Sequence, residues 1–181
     1  MNIVKVYIID VDDYTGSEEL VFSMANKYCN EFSLESPDKI IRNSRGKPFF
    51  SERDDLFFSL SHSGDYVGVA FSRNKVGFDI QVHRKHNYIR IAKRFFSPSE
   101  YSFVKQKGEL AFFDIWSAKE SYVKYIGQGL SFGLDSFSVI SDGRFKKNVD
   151  GVFLTRLDFL KNYSVFLSSE SERAVLHEIT L

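Results

Sequence analysis

The apolar positions of this chain alternate between a period of two and a period near 3.6, which predicts strands interleaved with helices. Residues 3–9 read as a strand and 17–32 as an amphipathic helix. A polar connection through Pro37 leads to Gly46-Lys47-Pro48, a turn signal. Residues 56–61 and 66–72 form a hairpin closed at Ser63-Gly64-Asp65, and 76–81 a further strand after the Arg73-Asn74-Lys75 turn. A helix over 87–96 ends at Phe95-Phe96. Ser97-Pro98-Ser99-Glu100 then starts a short helix, 98–107, with serine as N-cap, proline in first position and glutamate three residues after the cap. A long helix over 109–126 stops at Gly127. Strands are predicted over 134–140, 144–155, 162–168 and 173–181. Both halves combine one long helix with several antiparallel strands, which hints at a duplicated α+β unit divided into 1–74 and 75–181.

Length and composition narrow the class. At 181 residues the chain is one domain or two tightly joined halves, and 19 Phe with 9 Tyr make its core aromatic. A hydrophobic fraction of 43% with 27% charged residues is that of a soluble globular protein. The apolar N-terminal run is too short to span a bilayer and is followed by acidic residues, so it reads as a strand and not a signal. The single Cys29 excludes an internal disulfide, fits a reducing cytoplasmic compartment and reads as a small buried hydrophobe. Net charge is zero, yet residues 1–72 carry −5, 73–147 carry +7 and 148–181 carry −2. The basic middle suits an anionic ligand or an acidic partner. Nucleic acid is not expected, because no basic stripe alternates with stacking residues.

Candidate chemistry gathers on two segments. In Trp116-Ser117-Ala118-Lys119-Glu120-Ser121-Tyr122-Val123-Lys124, i,i+4 spacing stacks Trp116, Glu120 and Lys124 on one helical stripe. In Val76-Gly77-Phe78-Asp79-Ile80-Gln81, a period of two puts Asp79 and Gln81 on one strand face. Asp79 is either a metal ligand or a structural aspartate paired with a turn or an arginine. Glu120 is either a ligand or a surface partner of Lys124. Two carboxylates on different elements suit magnesium, which fills its octahedron with waters and phosphate oxygens. Gln81 would add a weak carbonyl ligand or hold a water. His62, at the hairpin turn, and Lys47, beside Pro48, are phosphate contacts or ordinary turn residues. His83, His86 and His177 are too scattered for zinc. Gly129-Leu130-Ser131-Phe132-Gly133 matches the hydrolase elbow, with Asp150 or Asp158 and His177 in triad order, but the helix precedes Ser131 where a strand is needed.

These residues resemble the Sfp-type 4′-phosphopantetheinyl transferases. The likeness runs from Gly46-Lys47-Pro48 through Ser59-Leu60-Ser61-His62-Ser63-Gly64, Gly77-Phe78-Asp79-Ile80 and Ile91-Ala92-Lys93-Arg94-Phe95-Phe96-Ser97 with Glu100. It continues in Trp116-Ser117-Ala118-Lys119-Glu120 with Lys124, Gly127-Gln128-Gly129-Leu130 and Leu134-Asp135-Ser136-Phe137. The resemblance implies an α+β pseudo-dimer of two halves, each a long helix on a small, mostly antiparallel sheet, hinged near 73–76. It implies transfer of the 4′-phosphopantetheine group of coenzyme A to a serine of an acyl or peptidyl carrier protein, releasing 3′,5′-ADP. It further implies Mg²⁺, or Mn²⁺, held by Asp79 and Glu120, with Gln81 weak or acting through water. Glu120 would draw the serine proton and Lys124 would neutralise the pyrophosphate. Lys47, Ser61 and His62 would contact the nucleotide, Pro48 would shape that loop, and Lys119 and Glu100 are secondary candidates. A monomer without membrane or nucleic-acid partners is expected, serving fatty acid, polyketide or nonribosomal peptide synthesis. Two features depart from the pattern: Gln81 replaces an acid found in many members, and residues 1–45 are net acidic where longer members are basic, leaving Arg42 and Arg45 as substitutes. The alternatives are a catalytically impaired coenzyme A and carrier-binding protein and, more remotely, a serine hydrolase using Ser131.

Overall fold

Side-chain alternation along the first strand, β1 (Val4–Asp10), sets the layers of the molecule. Tyr7 and Ile9 enter an aromatic core beneath the helix α1 (Ser17–Phe32), beside Tyr28, Phe50, Phe58 and Phe71. Val4, Val6 and Ile8 point the other way, into an apolar layer shared with Phe78, Ile80, Val165 and Leu167. The computed structural model describes residues 3–13, 16–129, 132–170 and 175–180.

After a 3₁₀ turn at Val11–Asp13 and α1 come the hairpin of β2 (Ile40–Arg42) and β3 (Pro48–Phe50) and that of β4 (Phe57–Ser63) and β5 (Tyr66–Ser72). β6 (Val76–Val82) precedes α2 (Tyr88–Phe95), α3 (Pro98–Lys107) and α4 (Glu109–Ile126). The chain continues through β7 (Ile140–Ser141), β8 (Arg144–Phe145), β9 (Asn148–Val149), β10 (Val152–Arg156), β11 (Tyr163–Ser169) and β12 (Val175–Thr180). One four-stranded sheet has the order β12-β1-β5-β4 and the other β6-β11-β10-β9. Pairing in the described sheets is antiparallel except for β1 with β12, which is parallel, so β12 returns to the sheet built by the start of the chain. Among the described residues no helix is long and apolar enough to cross a membrane.

Two glycines fix how closely these layers approach. A Cβ on Gly77 would lie 2.0 Å from the Ser121 carbonyl oxygen, so α4 packs backbone to backbone on β6. A Cβ on Gly68 would lie 2.4 Å from the Phe78 ring, which closes the layer between the sheets.

The helices over 17–32, 98–107 and 109–126 follow the sequence pattern, and the Ser97–Glu100 capping box forms with both of its hydrogen bonds. Two strand expectations are corrected. Of 134–140 only Ile140 joins a strand, because the Leu134 and Phe137 carbonyls bond the Lys119 ammonium and not a ladder. The single strand 144–155 is three strands. Asp142-Gly143 and Asp150-Gly151 take φ of 51°, 68°, 49° and 81°, and positive φ at both central residues closes two-residue hairpins. The short β2 and β3, three residues each, were not foreseen.

Candidate active site

β6 is the edge strand of its sheet, and two of its N–H groups, those of Phe78 and Val82, bond to hydroxyls. β4 runs beside it and supplies them from alternate serines. Ser59 Oγ accepts from the Phe78 N–H at 2.9 Å, and Ser63 Oγ accepts from the Val82 N–H at 3.0 Å. Ser61, between them, turns to a side chain and donates to Asp79 Oδ1 at 2.8 Å. α4 crosses the same edge at Gly77, where Ser117 Oγ donates to the Asp79 carbonyl at 3.2 Å. Further along α4, Lys124 Nζ donates to Ser61 Oγ at 2.7 Å and to Asp79 Oδ1 at 2.8 Å.

This leaves Asp79 unevenly satisfied. The residue is 5% exposed, Oδ1 holds two donors, and Oδ2 is buried with no hydrogen-bond partner. Such an oxygen costs energy unless a cation or donor meets it. Glu120, one helical turn before Lys124, feels the same deficit. Burial first, then the negative charge of Asp79, push its carboxyl up to about 7 against the pull of Lys124. A cation between the two acids would relieve both. Among the described residues no group of three or more His, Cys, Asp or Glu could hold a metal. Two carboxylates, if they shared an ion, would suit magnesium completed by waters and phosphate oxygens better than zinc.

Glu120 and Lys124 stand in the wall of a cavity of about 450 Å³. The first half of the chain builds much of the remaining wall, with Arg42, Arg45, Lys47 and Pro48 around the β2–β3 hairpin, Phe58 and Leu60 on β4, and Ser17 and Glu18 at the start of α1. Four cationic side chains against two acids make the cavity suited to an anion.

The other candidates divide. Pro48 lines the cavity. His62 is exposed and continues the β4 face of Phe58 and Leu60. Lys47 also lines the cavity, but its ammonium donates to the carbonyls of Lys124 at 2.5 Å, Tyr125 at 3.5 Å and Val76 at 3.4 Å, closing the C-terminal end of α4. Burial first, then the charges of Lys75 and Lys124, bring it down to about 8. Gln81 donates to the Val82 carbonyl at 3.4 Å and borders a second cavity of about 170 Å³ with His86, Phe112 and Trp116. Lys119 stands apart, 0% exposed and paired with Glu100 at 2.9 Å, while donating to the Leu134 and Phe137 carbonyls. With those acceptors Lys119 holds the 134–137 loop, and it does not line the cavity of Glu120 and Lys124. Glu100 likewise serves the fold, accepting from Lys119 and from the Val139 N–H at 2.7 Å. Ser131 of the hydrolase reading and the side chain of His177 lie outside the described residues. Asp150 accepts from the Tyr122 hydroxyl and Asp158 from Arg156.

Sequence reasoning missed Ser17, Glu18 and Asn43. Asn43 Oδ1 accepts from the N–H groups of Arg45 and Lys47 at 2.9 Å each, while Nδ2 donates to the Gly127 carbonyl at 3.2 Å. The Asn-Ser-Arg-Gly run signals that turn. Its docking onto the end of α4 has no signal in the sequence.

A profile of the 4′-phosphopantetheinyl transferase superfamily matches residues 75–176. A 4′-phosphopantetheinyl transferase of Bacillus subtilis is 45% identical over 98 residues, which is 52% of this chain and 43% of that protein. The 4′-phosphopantetheinyl transferase Sfp of Bacillus subtilis (strain 168) is 42% identical over 114 residues, 60% of this chain and 50% of that protein. The 4′-phosphopantetheinyl transferase gsp of Aneurinibacillus migulanus is 38% identical over 100 residues, 53% and 41% of the two chains. The matched stretch thus spans about half the length of these curated relatives.

Proposed function

This chain belongs to the 4′-phosphopantetheinyl transferase superfamily, and on that premise we propose that it transfers the 4′-phosphopantetheine group of coenzyme A to a serine of an acyl or peptidyl carrier protein. The serine oxygen bonds to the phosphorus that bears pantetheine, the bridging P–O bond breaks, and 3′,5′-ADP leaves with the electron pair. Glu120, with its carboxyl near 7, accepts the serine proton. Lys124 uses two of its three donors on Ser61 and Asp79 and directs the third to the pyrophosphate, where it balances charge. Asp79 and Glu120 are the residues that would hold Mg²⁺, or Mn²⁺, with Gln81 reaching it weakly or through water. When bound, that ion supplies Lewis-acid neutralisation of the pyrophosphate. Arg42, Arg45 and His62 meet the phosphates at the nucleotide end. Lys47 holds their loop against α4, since its ammonium is engaged by carbonyls.

The observation that carries this reading is the buried, partnerless Oδ2 of Asp79, close enough to Glu120 for one acid to raise the other, beside an electropositive cavity. The halves 1–74 and 75–181 are read as an internal pseudo-dimer acting as a cytoplasmic monomer, supported by one long helix on each four-stranded sheet. The test is intact mass of apo-carrier proteins from fatty acid, polyketide and nonribosomal peptide systems after incubation with coenzyme A and Mg²⁺. A gain of one phosphopantetheine on at least one carrier is expected. Coenzyme A binding without any gain would replace transfer by the binding-only reading that Gln81 motivates.

A further inference from the structure

α4 meets the cavity with the wrong end for an anion. Val123, Lys124, Gly127 and Gly129 stand in the cavity wall, and they belong to the last turn of α4 and the residues just after it. The last carbonyls of a helix have no partner within it and carry a partial negative charge. We propose that Asn43 is a positioning residue that caps this end of α4 from the first half of the chain, so that an anion can be held beside it. This inference rests on the coenzyme A reading above and gives Asn43 a task in binding beyond its place in the turn.

The cap uses both ends of one side-chain amide. Oδ1 accepts from the N–H groups of Arg45 and Lys47 at 2.9 Å each, which shapes the turn, and Nδ2 donates to the Gly127 carbonyl at 3.2 Å. The Lys47 ammonium covers the carbonyls of Lys124 and Tyr125 just before it. Glycines let the turn come close. A Cβ on Gly127 would lie 3.3 Å from Lys47 Cδ and 3.5 Å from Asn43 Nδ2, and one on Gly129 would lie 3.5 Å from the Arg45 carbonyl oxygen. The turn therefore lies along residues 127–129, while the β2–β3 hairpin that carries it forms a two-stranded sheet of its own. Lys47 reaches α4 through a long flexible stem. Asn43 is short and bonded to the main chain of the turn, so it sets the distance between turn and helix. The same turn carries Arg42 and Arg45 into the cavity wall, with Arg42 donating to the Gly46 carbonyl at 3.1 Å. One contact thus masks the negative end of α4 and brings two cations beside it.

The test compares Asn43→Ser and Asn43→Asp with wild type, by calorimetric binding of coenzyme A with Mg²⁺ and by kcat and KM on an apo-carrier protein. Both variants keep an oxygen that accepts from the turn N–H groups. Neither can donate to Gly127, because the serine hydroxyl is too short and the aspartate has no proton to give. Asn43→Ser is expected to weaken coenzyme A binding about fivefold, the scale of one lost hydrogen bond. Asn43→Asp should weaken it about tenfold or more, since it also adds negative charge at the negative end of the helix. The KM for coenzyme A should rise in both, with kcat within about twofold of wild type, because saturating ligand selects the docked turn. A lowered melting temperature with wild-type coenzyme A affinity would overturn the inference and leave Asn43 a structural turn residue. A fall in kcat at unchanged KM would overturn it as well. If Asn43→Asp does not fold, the neutral Asn43→Ser decides. A wild-type protein that binds no coenzyme A would overturn the reading of the cavity itself.

Discussion

Burial and the charge of Asp79 hold the Glu120 carboxyl at about 7, where glutamate ordinarily ionises at 4.5. The folded, metal-free protein therefore keeps a proton that the unfolded chain releases earlier. Ionisation of Glu120 weakens the fold as pH rises through that window, and the loss is complete above it. Glu120→Gln removes this titration. In urea melts with chelator, the variant is expected to gain roughly 2 kcal/mol on wild type between pH 5 and pH 8. Parallel pH profiles for the two proteins would contradict it. The same variant should lose roughly 10²–10⁴-fold in kcat through the missing base. Lys119→Met leaves Glu100 charged and buried, and should cost about 3–5 kcal/mol in the same melts. A cost below about 1 kcal/mol, the scale of an exposed pair, would show that Glu100 is already neutral or solvated. Asp79, Glu120 and Lys124 stood out in the sequence as charged groups with apolar neighbours on a strand and a helix. The tasks of Lys47 and Lys119 did not, because their acceptors are main-chain carbonyls 77 and 18 residues away. Ser61 was legible as a polar residue in a distinctive run, but its partner across two sheets was not.

The helices were legible because their ends carry their own chemistry. Ser97 and Glu100 cap α3, and Gly127, at φ 72°, ends α4. The strands after α4 were not, because one hydrophobic run, 144–155, was read across Asp150-Gly151, where the turn residues should have prevailed over the apolar pattern. Gly77 ties element packing to the site, since α4 approaches β6 there without room for a methyl group. Gly77→Ala must push back the backbone that carries Glu120 and Lys124. It is expected to cost about 3 kcal/mol in stability and to lower transfer in the protein that remains folded. An alanine variant that melts and turns over like wild type would show that α4 does not depend on this contact.

At the scale of the molecule, the two halves contribute unlike parts to one cavity. Glu120 and Lys124 come from the matched stretch 75–176, while Arg42, Arg45 and Lys47 come from the stretch before it. The basic middle of the chain pointed to an anionic partner. It could not show that an acidic first half supplies three of the cations on the cavity wall, because that depends on the β2–β3 hairpin docking on α4 through Asn43 and Lys47. Nor could it show that β12 returns to pair with β1. The central claim is that Asp79 and Glu120 share one divalent ion at the pyrophosphate. Anomalous diffraction from crystals grown with Mn²⁺ and coenzyme A tests it most directly. The account predicts one metal peak about 2.1 Å from Asp79 Oδ2 and from a Glu120 oxygen, in contact with the pyrophosphate. A pyrophosphate bound with its metal on other residues, and these two carboxylates left apart, would contradict it.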